Sequence, residues 1–136
     1  MNSREGDGKP GGSADEATHR ILVADDEDSI RVLLAHILTN EGCSAIVAVD
    51  GRQAIDLLES HTFDLIIPDC NMPRVGGLEV VAAAKRVDPR CPIIVISGHP
   101  SSEGEMGLIG HPRAVFVPKP FGVKLIRQTV AKLLET

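Results

Sequence analysis

The 136 residues fit one domain of ordinary size and leave no room for a second one. Acidic side chains outnumber basic ones by 19 to 14, for a net charge of −5, and no basic stretch is dense enough to follow a nucleic-acid backbone. No apolar run approaches the roughly 20 residues that span a bilayer, and the N-terminus lacks the pattern of a signal peptide. We therefore expect a cytoplasmic protein with no membrane and no nucleic acid as its direct partner.

The first part of the chain differs in composition from the rest. Residues 1–19 are rich in glycine, serine and charged side chains and almost free of large apolar ones. Burial of such a segment would not offset the entropy lost on ordering it. We predict a disordered tail over residues 1–19 and one folded domain over residues 20–136.

From Ile21 onward, short apolar runs alternate with amphipathic stretches. This alternation is typical of parallel strands joined by helical crossovers, and continuous apolar runs are typical of strands covered on both faces. The pattern predicts an open α/β sheet. The five predicted strands cover residues 20–24, 44–49, 63–67, 93–97 and 114–117.

Amphipathic stretches between the strands predict the helices. The first, SIRVLLAHILTNEG, places its apolar residues on one helical face, with Asp28 as the expected N-cap and Gly42 as the expected C-terminal stop. A fourth helix over residues 101–110, SSEGEMGLIG, is expected to be short or frayed because each of its glycines costs up to about 1 kcal/mol relative to alanine. The other predicted helices cover residues 52–60, 77–86 and 123–134.

Polar side chains follow four of the predicted strands. Asp25 and Asp26 follow the first strand, Asp69 the third and Lys119 the fifth, while Ser97 ends the fourth. Ligands of an open parallel sheet bind beyond the C-terminal ends of its strands, so these side chains are expected to converge. Clustered carboxylates favour a hard divalent cation such as Mg²⁺. Asp69 is then placed to attack a phosphoryl group whose oxygens Lys119 and Ser97 would bind.

Each of these residues also has an ordinary structural explanation. An acidic pair favours the start of a helix, Asp69 can form a turn, Ser97 can cap a strand, and Lys119 can be a solvated lysine. Taken singly, each signal is weak. Their occurrence together, in order and at four strand ends, favours the chemical interpretation.

Four motifs resemble the receiver domains of bacterial two-component response regulators, and specifically the chemotaxis-regulator-like, apparently single-domain members. They are ILVADDE, DLIIPDCNMPRVGGLEV, IIVISG and FVPKPF, and the resemblance covers residues 21–134. It implies an α/β, flavodoxin-like, doubly wound fold with five parallel strands in the order 2-1-3-4-5 and helices on both faces. The implied function is a phosphorylation switch and not an enzyme, with self-catalysed phosphotransfer and autodephosphorylation only.

The resemblance implies an acceptor and a metal site. Asp69 matches the residue that accepts a phosphoryl group from a sensor histidine kinase or a histidine phosphotransfer protein. The cofactor would be Mg²⁺, with Mn²⁺ as an alternative. The metal site would consist of Asp26 as a direct ligand, Asp25 acting largely through water, Asp69 and the backbone carbonyl of Asn71.

The resemblance also implies a switch. Ser97 matches the hydroxyl that moves toward the phosphoryl group, Lys119 the lysine that pairs with it, and Phe116 the aromatic residue that turns inward when the hydroxyl moves. The bond between Lys119 and Pro120 resembles the cis peptide of the family. A downstream protein would bind the face formed by the fourth helix, the fifth strand and the last helix. The chain would be a monomer or a homodimer that depends on phosphorylation.

Positions beside the acceptor bear on access to the phosphoryl group and on its lifetime. Asn71 and His99 match positions that overhang the phosphoryl group, and Gly98 leaves room for the donor histidine. His99 would hold or exclude the hydrolytic water, because an unperturbed imidazole changes charge near neutral pH. A surface histidine without a role is the alternative. Cys70 is expected to be a packing residue because no base is evident beside it. The odd number of cysteines, without a CxxC pair, indicates reduced thiols.

Departures from the family pattern occur around two strands. Pro68 precedes the acceptor, so the third strand is expected to end early or bend there, since proline removes a ladder hydrogen bond. Pro112 and Arg113 replace a usual pair of small residues before the fifth strand. Phe116 lacks the hydroxyl of the frequent tyrosine, so packing alone would set its orientation; an ordinary core phenylalanine is the alternative.

Competing hypotheses remain beside the stand-alone receiver, which is favoured because the chain ends shortly after the last predicted helix. A phosphorelay intermediate is included in that hypothesis. A second hypothesis is a receiver fragment of a larger regulator or hybrid kinase. A third is a Mg²⁺-dependent aspartyl phosphatase, for which a DxD arrangement and a substrate cap are lacking. A dinucleotide-binding module is excluded because ADDEDS stands where a GxGxxG turn is required.

Overall fold

The computed structural model describes residues 18–98, 111 and 113–135. Its five strands form one parallel sheet in the order β2-β1-β3-β4-β5. This order confirms the predicted doubly wound architecture. The strands are β1 (Arg20–Ala24), β2 (Ser44–Ala48), β3 (Leu65–Pro68), β4 (Ile93–Ser97) and β5 (Ala114–Pro118).

Four helices are described. Compared with the predictions, α2 begins one residue earlier, α3 ends one residue later, and the last helix has the predicted bounds. The helix expected over residues 101–110 lies outside the described residues. Within the described ranges, no helix has the length and hydropathy needed to cross a bilayer. The helices are α1 (Asp28–Asn40), α2 (Gly51–Ser60), α3 (Gly77–Val87) and α4 (Val123–Leu134).

The sheet has an apolar core on each face, because successive strand residues point to opposite sides. One core contains buried residues of α2 and α3, and the other contains those of α1 and α4. In β1, for example, Leu22 belongs to the first core and Val23 to the second. Coverage on both faces explains why β3 and β4 are buried along their whole length and read as continuous apolar runs.

The ends of the first two helices differ from expectation in one respect. Asp28 is the first residue of α1, and Glu27 occupies the N-cap position, so the predicted Asp28 cap is wrong. Asp28 instead forms an ion pair with Arg31 in the next turn. Gly42 has a φ of 79°, which agrees with the predicted stop because glycine adopts this conformation without steric cost. At the start of α2, the Asp50 carboxylate accepts a hydrogen bond from the backbone N–H of Gln53.

Pro68 is the last residue of β3 and lies opposite Ala24 of β1. The strand therefore ends directly before Asp69, as expected. The ladder toward β1 continues, since the Asp69 N–H donates to the Ala24 carbonyl at 2.8 Å. Toward β4, the N–H groups of Ile66 and Cys70 donate to β4-side carbonyls at 3.1 and 2.7 Å, and position 68 between them has no N–H to donate. The proline thus removes a hydrogen-bond donor only on the β4 side. Asp69 remains hydrogen-bonded to β1, and Cys70 to β4.

Candidate functional site

Three carboxylates meet at the C-terminal edge of the sheet. Asp25 and Asp26 follow β1, and Asp69 follows β3. One oxygen of each lies within 4.8 Å of the others. Asp25 and Asp69 are 1% and 3% exposed, whereas Asp26 is exposed. The structure therefore brings together the acids that the sequence analysis singled out, with two of them buried and one facing solvent.

Backbone hydrogen bonds hold the two buried acids in place. The Asp25 N–H donates to the Ala48 carbonyl at 3.2 Å, which extends the β1–β2 ladder by one residue. Asp69 is bound to β1 through its own N–H and forms an isolated bridge with Ile96 of β4. Both acids thus sit on extensions of the sheet, so their positions are determined by strand register.

Lys119 follows β5 and extends its side chain into the acid cluster. Its Nζ lies 3.2 Å from Asp25 Oδ2, 3.4 Å from Asp69 Oδ2 and 3.1 Å from Glu27 Oε1. The Lys119 N–H donates to the Ser97 carbonyl at 2.7 Å, which ties the lysine to the end of β4. The peptide between Lys119 and Pro120 is cis, as predicted.

The electrostatics of the cluster are unbalanced. Burial raises the pKa of Asp25, and a backbone hydrogen bond and Lys119 only partly oppose this. Burial also raises the pKa of Asp69, and the charge of Asp25 raises it further. Burial lowers the pKa of Lys119, but the hydrogen bond to Glu27 and the charges of Asp69 and Asp25 outweigh it, so the net shift is upward. Burial is thus the main cause of the raised carboxyl pKa values, and Lys119 offsets it only in part.

Ser97 and Asn71 are linked across the site. The Asn71 side-chain amide donates to Ser97 Oγ at 3.1 Å, and the Asn71 N–H donates to Asp69 Oδ1 at 3.3 Å. Ser97 is 1% exposed, whereas Asn71 is exposed. Phe116 is half-buried and packs against the core that contains α2 and α3. His99, the remaining predicted site residue, lies outside the described residues.

An open cleft of about 330 Å³ lies over the cluster. Ser97 and Asp25 are not among the residues that line it. Among the lining residues, Asp69 is buried, Lys119 is partly buried, and the others are exposed. The lining residues are Asp26, Glu27, Asp69, Asn71, Gly98 and Lys119.

The sequence analysis assigned no role to Glu27, Arg31 and Gly77. Glu27 is the third acid of the ADDE run and binds Lys119. Arg31, one helical turn later, donates from Nη1 to the Asp25 carbonyl at 2.7 Å. Gly77 belongs to the quoted VGGLEV segment and packs directly under the loop of residues 69–76, which contains the expected acceptor Asp69 and is called the acceptor loop below. The acidic run and the paired glycines were visible in the sequence, but their contacts depend on the folded loops.

Gly77 has no space for a side chain. A Cβ at this position would lie 2.4 Å from the Asp69 carbonyl oxygen and 2.7 Å from Cys70 Cα. Because these are backbone atoms, we expect Gly77→Ala to displace the acceptor loop and to lower the free energy of unfolding by about 1–3 kcal/mol. Urea unfolding measures this change.

The matched control is Gly122→Ala, where a Cβ would meet no atom within 4 Å. We expect its free energy of unfolding to stay within about 0.5 kcal/mol of the parent value. Equal stability of the two alanine variants would contradict the close approach of α3 to the acceptor loop.

The donor set at this edge fits a hard divalent cation. All three clustered groups are carboxylates, which Mg²⁺ prefers as ligands, and the exposed Asp26 gives access from solvent. Burial is the main cause of the raised pKa values of Asp25 and Asp69, and the charge of Asp25 raises that of Asp69 further. A cation at this place would stabilise the ionised form of both buried carboxyls.

Comparisons with known proteins agree with the geometry. Residues 21–131 match the family described as the response regulator receiver domain. The chain is 33% identical over 115 residues to the response regulator MprA of Mycolicibacterium vanbaalenii, covering 85% of this chain and 50% of that one. It therefore spans about half the length of MprA. It is 29% identical over 119 residues to sporulation initiation phosphotransferase F of Bacillus subtilis, covering 85% and 93% of the two chains.

A solved structure shows the same arrangement of the backbone. The response regulator TrrA of Thermotoga maritima, crystallised in complex with Mg²⁺-BeF, superposes with a TM-score of 0.77 at 31% identity, covering 85% of this chain and 99% of that one. The family match, the sheet order and the strand-end carboxylates lead to one conclusion. This chain belongs to the response regulator receiver domains of two-component signalling systems.

Proposed function

We propose that this receiver domain is a phosphorylation switch whose acceptor is Asp69. The observation that carries the proposal is the contact of Lys119 Nζ with Asp69 Oδ2 at 3.4 Å, beside two further carboxylates within 4.8 Å. A carboxylate placed between a fixed ammonium and other acids suits a nucleophile whose product, an acyl phosphate, carries additional negative charge. Asp69 also lines the cleft, so a phosphodonor reaches it from solvent.

The proposed cofactor is Mg²⁺, with Mn²⁺ as an alternative. Asp25, Asp26, Asp69 and the backbone carbonyl of Asn71 would hold it. When bound, the cation would neutralise the acids and the incoming phosphoryl oxygens. The Mg²⁺-BeF complex of the TrrA structure supports a divalent cation in this family fold.

The proposed transfer needs no further reactant. A carboxylate oxygen of Asp69 attacks phosphorus, the new P–O bond forms, and the bond from phosphorus to the donor nitrogen of a phosphohistidine breaks. The electron pair of that bond leaves with the imidazole. Lys119 and the Ser97 hydroxyl would then bind oxygens of the acyl phosphate. The domain catalyses its own phosphorylation and dephosphorylation, and otherwise acts as a switch.

The proposed output is a change of surface. Movement of Ser97 toward the phosphoryl group would let Phe116 repack, and a downstream protein would bind the face that includes β5 and α4. The phosphodonor would be a sensor histidine kinase or a histidine phosphotransfer protein in the cytoplasm. The proposed assembly is a monomer or a phosphorylation-dependent homodimer.

A second arrangement of the same switch is favoured by the length of one relative. MprA is about twice as long as the matched segment. The receiver would then form part of a larger regulator, and its surface change would act on a domain of the same protein. Phosphotransferase F, matched over 93% of its length, favours the single-domain arrangement.

Intact-mass measurement after incubation with acetyl phosphate tests the proposal. We expect a gain of one phosphoryl group in the presence of Mg²⁺ and none in excess EDTA. Hydroxylamine should remove the added mass, because it cleaves acyl phosphates and leaves phosphoserine intact. Metal binding itself is best followed by calorimetry, because the chain contains no tryptophan or tyrosine to report it by fluorescence.

Two results would contradict the proposal. One is an unchanged mass with Mg²⁺ at any concentration of acetyl phosphate. The other is continuous release of phosphate from acetyl phosphate while no phosphorylated protein accumulates. That result would indicate an aspartyl phosphatase.

A further inference from the structure

The hydrogen bond between Asn71 and Ser97 joins two parts of the site that are 26 residues apart in the chain. Asn71 belongs to the acceptor loop after β3, and Ser97 is the last residue of β4. The amide of Asn71 donates to Ser97 Oγ at 3.1 Å, a normal length for this type of bond. The acceptor loop is thereby connected to the hydroxyl proposed to bind the phosphoryl group.

The positions of the two residues relative to the cleft differ. Asn71 lines the cleft and is exposed, whereas Ser97 does not line it and is 1% exposed. Because Asn71 lines the cleft and its amide binds Ser97 Oγ, the Asn71 side chain connects the buried hydroxyl to the cleft. A phosphoryl group on Asp69 would occupy the cleft, whose lining does not include Ser97.

Hydrogen bonds of the backbone hold both residues in place. The Asn71 N–H is bound to Asp69 Oδ1 at 3.3 Å, and the Ser97 carbonyl accepts from the Lys119 N–H at 2.7 Å. A rearrangement that brings the Ser97 hydroxyl to the cleft would break its hydrogen bond with the Asn71 amide.

We propose that the Asn71 side chain is a latch that withholds the Ser97 hydroxyl from the cleft in the unphosphorylated state. Opening of the latch would accompany phosphoryl transfer, so the Asn71–Ser97 hydrogen bond opposes it. This inference rests on the proposed function and deepens it, because it makes Asn71 a positioning residue that sets the threshold of the switch. The net free energy of one neutral hydrogen bond corresponds to a change of about threefold to tenfold in the rate of phosphorylation.

A double-mutant cycle tests the latch. The four proteins are the parent, Asn71→Ala, Ser97→Ala and the double variant, each treated with acetyl phosphate and Mg²⁺ and followed by intact mass. We expect Asn71→Ala to accelerate phosphorylation about threefold to tenfold in the parent and to leave the rate unchanged in the Ser97→Ala background. Asn40→Ala, which removes an exposed amide at the end of α1, is the matched control and should leave the rate at the parent value.

A second measurement does not depend on phosphorylation. Urea unfolding of the same four metal-free proteins should show that the two substitutions are not additive, because each removes the same hydrogen bond. This cycle distinguishes a latch from general loosening of the loop, which would change stability equally in both backgrounds. Additive stabilities would overturn the proposal.

The remaining outcomes are also decisive. A slower Asn71→Ala variant would overturn the latch, since Asn71 would then present the hydroxyl and not withhold it. An equal acceleration in both backgrounds would overturn it as well. If the parent protein gains no phosphoryl group, the proposed function and the latch both fail, whereas a parent that is phosphorylated at the same rate as Asn71→Ala overturns the latch alone.

Discussion

Asp69→Asn is expected to abolish the phosphoryl gain and, at the same time, to stabilise the metal-free protein at neutral pH. The first effect follows because an amide is not a nucleophile for phosphorus. The second follows from the raised pKa of Asp69, which burial and the charge of Asp25 cause. When a carboxyl has a higher pKa in the folded than in the unfolded state, the folded protein loses stability as pH rises above the unfolded-state pKa. The loss grows as pH rises through the raised folded-state pKa, and the neutral side chain of nearly equal shape avoids it.

Thermal unfolding in EDTA measures the second effect. We expect a rise of several degrees in Tm, since about 1 kcal/mol shifts the Tm of a small domain by roughly 2–8 °C. The advantage of Asp69→Asn should shrink as pH falls toward the titration of the carboxyl, because the parent then becomes neutral as well. Saturating Mg²⁺ should also reduce the advantage, since the parent binds the cation better than the variant.

The matched control is Asp56→Asn, which neutralises an exposed carboxylate on α2 that pairs with Arg52. It should leave phosphorylation unchanged and move the free energy of unfolding by no more than about 0.5 kcal/mol. Asp69→Asn should lose phosphorylation but gain stability, so its loss of phosphorylation would not result from a damaged fold. A variant that loses both stability and phosphorylation would indicate a damaged fold and would contradict the electrostatic account.

Lys119→Met is expected to have the opposite effect on stability. Lys119 is 16% exposed and contacts two buried carboxylates, Asp25 and Asp69. Its raised pKa means that the ammonium stabilises the fold at every pH below its titration, including pH 7. Removing one partner of a buried ion pair leaves uncompensated charge, so we expect a loss of about 3 kcal/mol in urea unfolding without metal.

Two further measurements define the role of Lys119. Mg²⁺ should recover much of the lost stability, because the cation neutralises the same carboxylates that the ammonium neutralises. Phosphorylation by acetyl phosphate should slow by roughly 10²-fold, the usual cost of removing one group that stabilises developing charge. Arg52→Ala, which breaks the exposed pair with Asp56, is the control and should leave the stability close to that of the parent. A Lys119→Met variant as stable as the parent in EDTA would contradict the account.

The apolar pattern was sufficient to predict the architecture. Strands covered on both faces are apolar at nearly every position, and β3 and β4 are buried along their whole length, with Ser97 at the end of β4 as the polar exception. The amphipathic stretches likewise predicted helices that the structure places within a residue or two of the expected bounds. These features depend on periodicity, which the sequence displays directly.

Local rules failed where backbone partners decide the outcome. The Asp28 cap was wrong because the helix begins at that residue, and an acidic run offers several equivalent starts. Pro68 ends β3 as expected, but hydrogen bonding to β1 continues at Asp69, because only the β4 side needs an N–H at position 68. The effect of a proline on a strand depends on which neighbour its missing N–H would face, and sequence does not reveal that.

For the site, the sequence by itself determined which chemical groups are present and that they follow strand ends. Carboxylates, a hydroxyl and an ammonium after parallel strands must share one edge of the sheet, so their convergence was predictable. Only the tertiary structure decided how they are paired. It placed Lys119 among three acids including Glu27, packed Gly77 under the Asp69 carbonyl, and joined Asn71 to Ser97. The physical reason is separation along the chain. Periodicity and strand-end position are local properties of the sequence, whereas these contacts join residues from different loops and depend on strand register and close packing.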